Sequence, residues 1–247
     1  MPKLVLLRHG ESAWNAENRF TGWVDVDLTP AGEAEARAAG ELVAAEPDLD
    51  IGVVHTSLLT RAIRSAEIML AAAGHSYLPV RRHWRLNERH YGALQGLNKK
   101  ETAERHGADQ VKAWRRSYDV RPPEVDLDSP HHPANDPRYR LVPRRALPAA
   151  ECLKDVVGRL LPYWEDAIAG ELLSGLTVLV VAHGNSLRAL VKELEGISDK
   201  AIVDLNVPTG IPRVYDLDGS LGILKAWYLG DAEQAQAAAE AVARQAG

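Results

Sequence analysis

Residues Leu4 to Ser12 read LVLLRHGES, and residues Val178 to Ser186 read VLVVAHGNS. In both stretches an apolar run ends in His-Gly. Apolar runs without polar alternation are typical of strands buried on both faces, and a following glycine permits a tight turn into a helix. Because open α/β sheets bind ligands at the carboxyl ends of parallel strands, we expect these strands to lie side by side and to bring His9 and His183 to one pocket.

A functional and a structural interpretation compete for these histidines. A lone buried histidine is often a hydrogen-bonded structural residue, and that alternative stays open for His9. The doubled pattern favours function. Arg8 favours it further, since a cation at the end of a buried strand is costly unless an anion or a carboxylate meets it.

The composition is that of an ordinary soluble globular protein, with 247 residues, of which 46% are hydrophobic and 26% charged. We expect one domain over residues 1–247. The apolar runs are too short to span a membrane and the first residues do not resemble a signal peptide, so a cytoplasmic protein is predicted. A single cysteine, Cys152, rules out an internal disulfide and a thiolate zinc cluster.

The charge is unevenly distributed. The net charge is −5, which argues against a nucleic-acid partner, yet residues 81–121 hold 11 Lys and Arg against 5 Asp and Glu. Such a basic block suits a small, highly charged anion held in a pocket. A solvated basic surface is the alternative.

Strand and helix signals alternate along the first part of the chain. Thr29 as N-cap and Pro30 at the first helical position predict a helix to Glu46, and IGVVH at 51–55 predicts a second buried strand. A helix capped by Thr56-Ser57 should run to Leu70. A short strand is expected near 78–82.

After an insertion at about 98–148 the alternation resumes. The sequence predicts a long helix over 149–169, the second His-Gly strand, a helix over 186–195 and two strands near 213–217 and 223–227. The order predicts an α/β fold with a mostly parallel central sheet and helices on both faces.

The insertion is expected to be largely helical and irregular and to cover the site. Short helices are predicted around 100–105 and 109–118, and residues 119–148 hold 7 of the 14 prolines of the chain. Proline-rich excursions in compact enzymes are usually lids or binding loops, with a disordered linker as the alternative. The alanine-rich tail at about 231–247 is predicted to be helix-prone and mobile.

The candidate residues suit phosphoryl transfer. A phosphoryl group in transfer carries charge on several oxygens, which fixed cations stabilise. Arg8, Arg61 and His183 can surround such a group, with backbone amides after Gly10 or Gly184 as further donors. His9 is the candidate nucleophile. Glu88 is the candidate proton donor and acceptor, or alternatively a surface carboxylate paired with Arg85 or Arg89.

Several motifs together resemble one family. These are RHGES at 8–12, Asn15, FTGWVDVDLT at 20–29, TSLLTRAIRSAE at 56–67, LNERHYGALQGLNK at 86–99, WRRSYDVRPP at 114–123, NDPRY at 135–139 and AHGNSLRALVK at 182–192. They are similar to the cofactor-dependent phosphoglycerate mutases of the histidine phosphatase superfamily. RHGES alone indicates only the superfamily, whereas ERHYGALQGLNK with WRR is specific to the mutases.

The resemblance implies a role for each matching residue. His9 corresponds to the histidine that becomes phosphorylated, Glu88 to the acid/base, and Arg8, Arg61 and His183 to the groups around the transferring phosphoryl. The implied substrate-binding residues are Ser12, Asn15, Thr21, Gly22, Tyr91, Lys99, Arg115, Arg116, Gly184 and Asn185.

The implied reaction interconverts 3- and 2-phosphoglycerate in glycolysis and gluconeogenesis. Phospho-His9 donates to one hydroxyl to give 2,3-bisphosphoglycerate, which also serves as the cofactor that primes His9; no metal is implied. A phosphohydrolase of small phosphate esters is the main alternative, and an inactive anion-binding protein is a third. The resemblance suggests a homodimer or homotetramer, with no membrane partner.

The chain departs from the family pattern at three places. Ala150-Glu151-Cys152 stands where the family has Thr-Glu-Ser, which predicts a weaker cap or phosphate contact. SPHHPA, with His131 and His132, is unusual, but no third metal ligand accompanies the two histidines. The tail carries one cation, Arg244.

Overall fold

The computed structural model describes residues 1–244, which contain one six-stranded sheet. The strands are β1 (Lys3–Arg8), β2 (Ile51–Thr56), β3 (Val80–Arg82), β4 (Thr177–Ala182), β5 (Arg213–Leu217) and β6 (Ile223–Tyr228). Their order across the sheet is β3-β2-β4-β1-β5-β6. The first four in this order are parallel to one another, whereas β5 runs antiparallel to both of its neighbours, β1 and β6. The predicted α/β class with a mostly parallel sheet is confirmed.

The two His-Gly strands are neighbours at the centre of this sheet. β1 pairs with β4 in parallel, from Leu4 opposite Val178 to Arg8 opposite Ala182. The backbone amide of His9 continues the ladder by donating to the carbonyl oxygen of Ala182 at 3.0 Å. The predicted adjacency of the two strands is therefore confirmed, and it brings both His-Gly turns together at the carboxyl ends of the parallel strands.

The helices cover both faces of the sheet. They are α1 (Ala13–Ala16), α2 (Pro30–Ala44), α3 (Thr60–Ala72), α4 (Lys99–His106), α5 (Ala108–Arg116), α6 (Leu153–Tyr163), α7 (Ala169–Leu173), α8 (Gly184–Glu195) and α9 (Ala232–Arg244). α2 and α3 pack on the face formed by Val5 and Leu7, while α6 and α8 pack on the face of Leu4 and Leu6. Alternate residues of one apolar strand thus enter two cores, as expected for a buried strand.

Local signals predicted some helix ends and failed at others. α2 begins at Pro30, and the Thr29 hydroxyl caps it by accepting from the Gly32 amide at 3.1 Å. The prediction that Thr56-Ser57 caps the next helix is wrong. Thr56 ends β2, and α3 begins only at Thr60; Ser57 Oγ lies 2.8 Å from His183 Nε2 and accepts from the Leu59 amide at 3.1 Å.

The predicted continuous helix over 149–169 is also wrong. α6 begins at Leu153, because Glu151 pairs with the loop at His90 and the carboxylate of Asp155 accepts from the Cys152 amide at 2.9 Å. Pro162 lies inside α6, and a π-helical segment, Trp164–Ile168, separates α6 from α7. A proline lacks the amide that the helical ladder needs, and a wider turn adjacent to it is one way of absorbing the defect.

The insertion contains α4, α5 and then short 3₁₀ turns at Pro133–Asn135, Pro137–Tyr139 and Arg144–Ala146. Its irregular part packs on the body of the protein: Tyr139 is 2% exposed and its hydroxyl accepts from Asn87 Nδ2 at 2.8 Å. The disordered-linker alternative is therefore wrong. The tail is helical over Ala232–Arg244, and residues 245–247, part of the segment predicted to be mobile, lie outside the described residues.

Within residues 1–244, no helix combines the length and the apolar character that crossing a membrane requires.

Candidate active site

His9 and His183 face each other where β1 and β4 end. Their ring centroids lie 4.9 Å apart at an interplanar angle of 63°. Both rings are buried, and His183 is the first residue before α8, so its ring lies at a helix N-terminus. Two strands adjacent in the sheet, each followed by the same turn, are what bring together histidines 174 positions apart.

The environment of His9 leaves one ring nitrogen with a free lone pair. Nδ1 lies 2.7 Å from the carbonyl oxygen of Gly10, and a carbonyl only accepts, so Nδ1 carries the proton. Burial, followed by the charges of Arg61 and Arg8, lowers the pKa of His9 well below its usual value. The ring is therefore neutral near pH 7, with Nε2 unprotonated and able to act as a nucleophile.

Tight packing holds the turn after His9. A Cβ at Gly10 would lie 2.1 Å from the carbonyl oxygen of Gly32 in α2, so only glycine allows this approach of turn and helix. The Gly10 amide donates to Ser65 Oγ of α3 at 3.1 Å. The peptide that orients His9 is thus fixed from two helices.

Arg8 and Arg61 present two guanidinium groups to the cleft, and main-chain carbonyl oxygens hold both. Arg8 Nη1 donates to Val207 at 2.8 Å, and Arg61 donates to Val24 at 3.0 Å and Gly22 at 2.8 Å. Burial lowers the pKa of Arg61 to about 10. Because the hydrogen-bond partners are neutral carbonyl groups and no carboxylate of the described residues is directly bonded to either guanidinium, the two positive charges favour an anion at this position.

His183 is held by a residue that the sequence analysis missed as a site residue. Its Nε2 lies 2.8 Å from Ser57 Oγ, which directly follows β2. Burial, Arg61 and His9 lower the pKa of His183 well below its usual value. The signal that could have revealed Ser57 is its position, since it ends a strand adjacent to the second His-Gly strand.

Glu88 lies in the cleft wall and is 8% exposed. Its carboxylate accepts from two backbone amides, that of Arg89 at 2.7 Å and that of Asn185 at 3.1 Å. The alternative of a surface carboxylate paired with Arg85 or Arg89 side chains is wrong, because the carboxylate is buried and its described partners are main-chain amides. The chain after the 3₁₀ turn Trp84–Leu86 therefore places Glu88 in the same cleft as His9.

The basic block supplies a second group of cations at this cleft. Lys99 begins α4, and Arg115 and Arg116 end α5. Burial, followed by the charge of Arg115, lowers the pKa of Lys99 to about 8. Burial lowers the pKa of Arg115 to about 10. Partial burial and mutual repulsion show that these residues are not an ordinary solvated surface.

Tyr91 lies between these cations. Its burial raises the pKa of the phenol, but the charges of Arg89 and Arg115 outweigh burial and lower it to about 8. The hydroxyl accepts from Asn185 Nδ2 at 3.2 Å. Gly184, next to Asn185, approaches Arg8, whose Cζ would lie 3.4 Å from an added Cβ.

The other predicted substrate-binding residues occupy different positions. Asn15, Thr21 and Gly22 line the cleft. Ser12 does not: it caps α1, and its hydroxyl donates to Asn15 Oδ1 at 2.8 Å. That bond holds the amide oxygen of Asn15, so the amide nitrogen is the end with hydrogens available to an anion.

Three polar lining residues were missed by the sequence analysis: Arg19, Arg188 and Asn206. Arg188, in α8, donates to Asn185 Oδ1 at 2.9 Å and to the Ile202 carbonyl at 2.6 Å, and burial lowers its pKa to about 9. Asn206 accepts from Arg116 at 2.7 Å. Arg188 had a signal, one helical turn after Gly184-Asn185, whereas Arg19 and Asn206 carried none.

No group of three or more His, Cys, Asp or Glu side chains suited to a metal occurs in the described part of the chain. His132 Nδ1 instead accepts from the Ala134 amide at 3.1 Å, and the carbonyl of the adjacent His131 lies 3.3 Å from His90 Nε2. The paired histidines of the insertion thus help to shape its 3₁₀ turns.

Comparison with known proteins yields relatives over almost the whole chain. Residues 4–229 match the model of the histidine phosphatase superfamily (branch 1). The curated 2,3-bisphosphoglycerate-dependent phosphoglycerate mutase of Nitratidesulfovibrio vulgaris strain DP4 is 59% identical over 245 residues, covering 99% of this chain and 98% of the relative. The protein of the same name from strain Miyazaki F is 58% identical over the same coverage.

Solved structures agree on the fold. A mycobacterial glucosyl-3-phosphoglycerate phosphatase superposes with a TM-score of 0.69 at 23% identity, covering 92% of this chain and 97% of that one. The α-ribazole phosphatase of Shigella flexneri has a TM-score of 0.65 at 20% identity, covering 93% and 96%. At such identities the likeness concerns the fold alone, and the relatives found by sequence decide the family within the superfamily. The chain belongs to the 2,3-bisphosphoglycerate-dependent phosphoglycerate mutases of the histidine phosphatase superfamily.

Proposed function

We propose that this protein is an isomerase that interconverts 3-phosphoglycerate and 2-phosphoglycerate through a phosphohistidine at His9. Identity of 59% over 99% of the chain to a curated mutase supports this activity over a phosphohydrolase. The proposal assigns the reaction to glycolysis and gluconeogenesis, the pathways in which these two phosphoglycerates interconvert.

The observation that carries the proposal is the pairing of a neutral nucleophile with cations at two ends of one cleft. His9, Arg8 and Arg61 line one end, and Lys99, Arg115 and Arg116 belong to the other group. A glycerate with a phosphate at each of two positions carries anionic groups at both ends of a short carbon chain. Cations at both ends can hold such a molecule in either of two orientations, which a mutase requires.

In the first half-reaction, His9 Nε2 attacks the phosphorus of a bound phosphate ester. The bond between phosphorus and the ester oxygen breaks, and Glu88 gives a proton to that oxygen. In the second half-reaction, Glu88 takes the proton of the free hydroxyl of a bound monophosphoglycerate, and that oxygen attacks the phosphorus on His9 as the bond between phosphorus and Nε2 breaks. Arg8, Arg61 and His183 stabilise the charge on the phosphoryl oxygens in both directions.

The residues present fit 2,3-bisphosphoglycerate as a cofactor. Three buried polar atoms of cleft-lining residues, Arg8 Nε, Thr21 Oγ1 and Arg188 Nε, have no hydrogen-bond partner in the described structure. Buried polar atoms are normally satisfied, so such atoms indicate a ligand with acceptor oxygens. When bound, 2,3-bisphosphoglycerate supplies the phosphoryl group that primes His9. Arg8, Arg61 and Thr21 would hold one phosphate, and Lys99, Arg115 and Arg116 the other.

A coupled assay tests the function. Conversion of 3- to 2-phosphoglycerate should require a catalytic amount of 2,3-bisphosphoglycerate, and mass spectrometry should find an acid-labile gain of one phosphoryl on His9. Release of phosphate from bisphosphoglycerate or from a simple ester faster than isomerisation would instead support the phosphohydrolase.

We also propose that the reaction needs no metal. Arg8 and Arg61 take the place that divalent cations occupy in many phosphoryl-transfer enzymes. Treatment with EDTA should leave the mutase rate unchanged, and a loss that Mg²⁺ restores would contradict this. A cytoplasmic location, in keeping with a single cysteine, and a homodimer or homotetramer remain predictions of the same proposal.

A further inference from the structure

Behind Glu88, away from the cleft lining, lies a buried ion pair between Glu151 and Arg159. Arg159 Nε is 2.6 Å from Glu151 Oε1, and the two side chains are 8% and 3% exposed. Arg159 comes from α6, and Glu151 lies two residues before that helix. Neither residue lines the cleft.

The hydrogen bonds of this pair converge on the chain segment that carries Glu88. Arg159 donates to the carbonyl oxygens of Arg85 at 2.6 Å, Asn87 at 3.0 Å and Glu88 at 2.9 Å. Glu151 Oε2 accepts from the His90 amide at 2.8 Å, and the Glu151 amide donates to the His90 carbonyl at 2.8 Å. The pair therefore holds the main chain on both sides of Glu88.

Side-chain contacts also fix this segment: Asn87 Oδ1 accepts from the Leu58 amide at 3.0 Å, and Asn87 Nδ2 donates to the Tyr139 hydroxyl at 2.8 Å. The segment follows the 3₁₀ turn Trp84–Leu86 and belongs to no strand or α-helix. The Trp23 indole, which packs on the Arg159 guanidinium at 5.5 Å, donates its Nε1–H to the Glu88 carbonyl oxygen. The Glu88 carbonyl thus accepts from both Arg159 and Trp23.

Stability alone is a poor explanation for such a pair. Removing two charges from water costs about as much as their attraction returns, so apolar residues of similar volume would serve a core at least as well. What a guanidinium offers here, and an apolar side chain cannot, is a rigid fork of donors aimed at several carbonyl oxygens.

We propose that Arg159 and Glu151 are positioning residues that hold Glu88 at the distance its proton transfer requires. The inference rests on the proposed function, in which Glu88 is the acid/base. A displacement of the order of 1 Å at a reacting group costs about 10²-fold in rate, so loosening the segment should slow steps that need a proton and spare those that do not.

Two phosphoryl donors separate these cases. Transfer from 2,3-bisphosphoglycerate to His9 releases an alkoxide oxygen that Glu88 must protonate. Transfer from p-nitrophenyl phosphate releases a stable phenolate that needs no proton. The measurement is the single-turnover rate of His9 phosphorylation, at saturating donor, in Arg159→Gln, Arg159→Lys and Glu88→Gln.

The matched control is Arg213→Gln. Arg213 pairs with Glu195 at 2.6 Å between β5 and α8, and the side chains are 19% and 24% exposed. It does not contact the Glu88 segment, so its loss reports the general effect of removing a partly buried ion pair. Both rates should stay within about twofold in this variant.

Arg159→Gln should slow phosphorylation from bisphosphoglycerate about 10- to 100-fold and that from p-nitrophenyl phosphate less than about threefold. Arg159→Lys keeps the charge opposite Glu151 but not the fork, so it should show an intermediate selective loss, and it tests the role even if Arg159→Gln fails to fold. In the Glu88→Gln background, Arg159→Lys should cause little further loss.

The positioning role is overturned if the Arg159 variants lose equally with both donors, or lose nothing, and Glu88→Gln still slows only the transfer from bisphosphoglycerate. If Glu88→Gln itself affects both donors equally, the acid/base assignment of Glu88 fails, and the positioning role fails with it.

Discussion

The two ends of the cleft are built from different parts of the chain. Arg8, His9 and His183 follow or end the central strands β1 and β4, and Arg61 lies in the first turn of α3. Lys99 and Arg115 come from the inserted helices α4 and α5. The phosphoryl end is thus built on the central strands and α3, and the other end on the insertion.

The two ends also differ in how their charges are held. Arg61 is 1% exposed and bound by two carbonyl oxygens, whereas Lys99 is half-buried and its pKa falls to about 8 beside Arg115. A fixed, fully buried cation suits a transition state of constant geometry. Partly exposed cations suit a substrate that must enter the cleft, reorient within it and leave. This difference assigns the chemistry to the carboxyl ends of the central strands and the recognition of the substrate to the insertion.

The sharpest test of this comparison is His9→Ala. It removes the only atom proposed to bond to phosphorus, so turnover in the coupled assay should fall on the order of 10⁴-fold or more. His131→Ala, an exposed histidine of the insertion, is the matched control and should keep its rate. Near-normal turnover in His9→Ala would end the assignment of the nucleophile.

Glu88→Gln should produce the next largest loss. The amide keeps the size of the side chain but can no longer give or take the proton, so kcat should fall about 10²- to 10⁴-fold with little change in KM. Steady-state kinetics in both directions check this. A rise in KM without a fall in kcat would show that Glu88 acts in substrate binding and not in proton transfer.

Arg116→Ala should act on binding rather than on chemistry. Arg116 belongs to the insertion, and a charge-assisted hydrogen bond lost to a phosphate or carboxylate corresponds to about a 10- to 100-fold rise in KM. The expected change in kcat is smaller. Comparable losses in kcat for Arg116→Ala and Glu88→Gln would erase the distinction between the two ends.

The smallest effect is a pH dependence of KM. The pKa values of Lys99 and Tyr91 are both lowered to about 8, so above pH 8 the free enzyme loses a positive charge at Lys99 and gains a negative one at Tyr91. Both changes weaken anion binding, so KM should rise severalfold from pH 7 to pH 9. Lys99→Arg should reduce this rise and Tyr91→Phe should reduce the remainder, while a flat profile in the unmodified protein would contradict the prediction.

Much of this architecture was predictable from local patterns. Unalternating apolar runs predicted β1 and β4, and their doubled His-Gly ending predicted that His9 and His183 meet. Thr29-Pro30 predicted the start of α2. The same rules failed for Ser57, whose hydroxyl has the chemistry of a helix cap but contacts His183, a residue remote in the chain that follows the neighbouring strand β4. Long-range partners decide such cases, and a local pattern does not contain them.

The Cys152 position also shows that a pattern at one residue does not determine its contacts. Its departure from the expected serine predicted a weaker cap, yet Cys152 is still the N-cap of α6, with Sγ 3.1 Å from Asp155 Oδ2 and the amide bound to the same oxygen. Asp155, three residues on, does most of the capping.

The amino-acid sequence by itself determined which strands are buried, where the phosphoryl-binding turns lie and to which family the chain belongs, because these follow from short-range composition and spacing. Only the tertiary structure decided the tautomer of His9, the partner of Ser57, the inclusion of Arg188 in the cleft and the clamp of Arg159 on the Glu88 segment. The physical reason is that hydrogen-bond satisfaction and charge compensation are properties of neighbours in space, and such neighbours can be far apart in the chain, as Ser57 and His183 are at 126 positions.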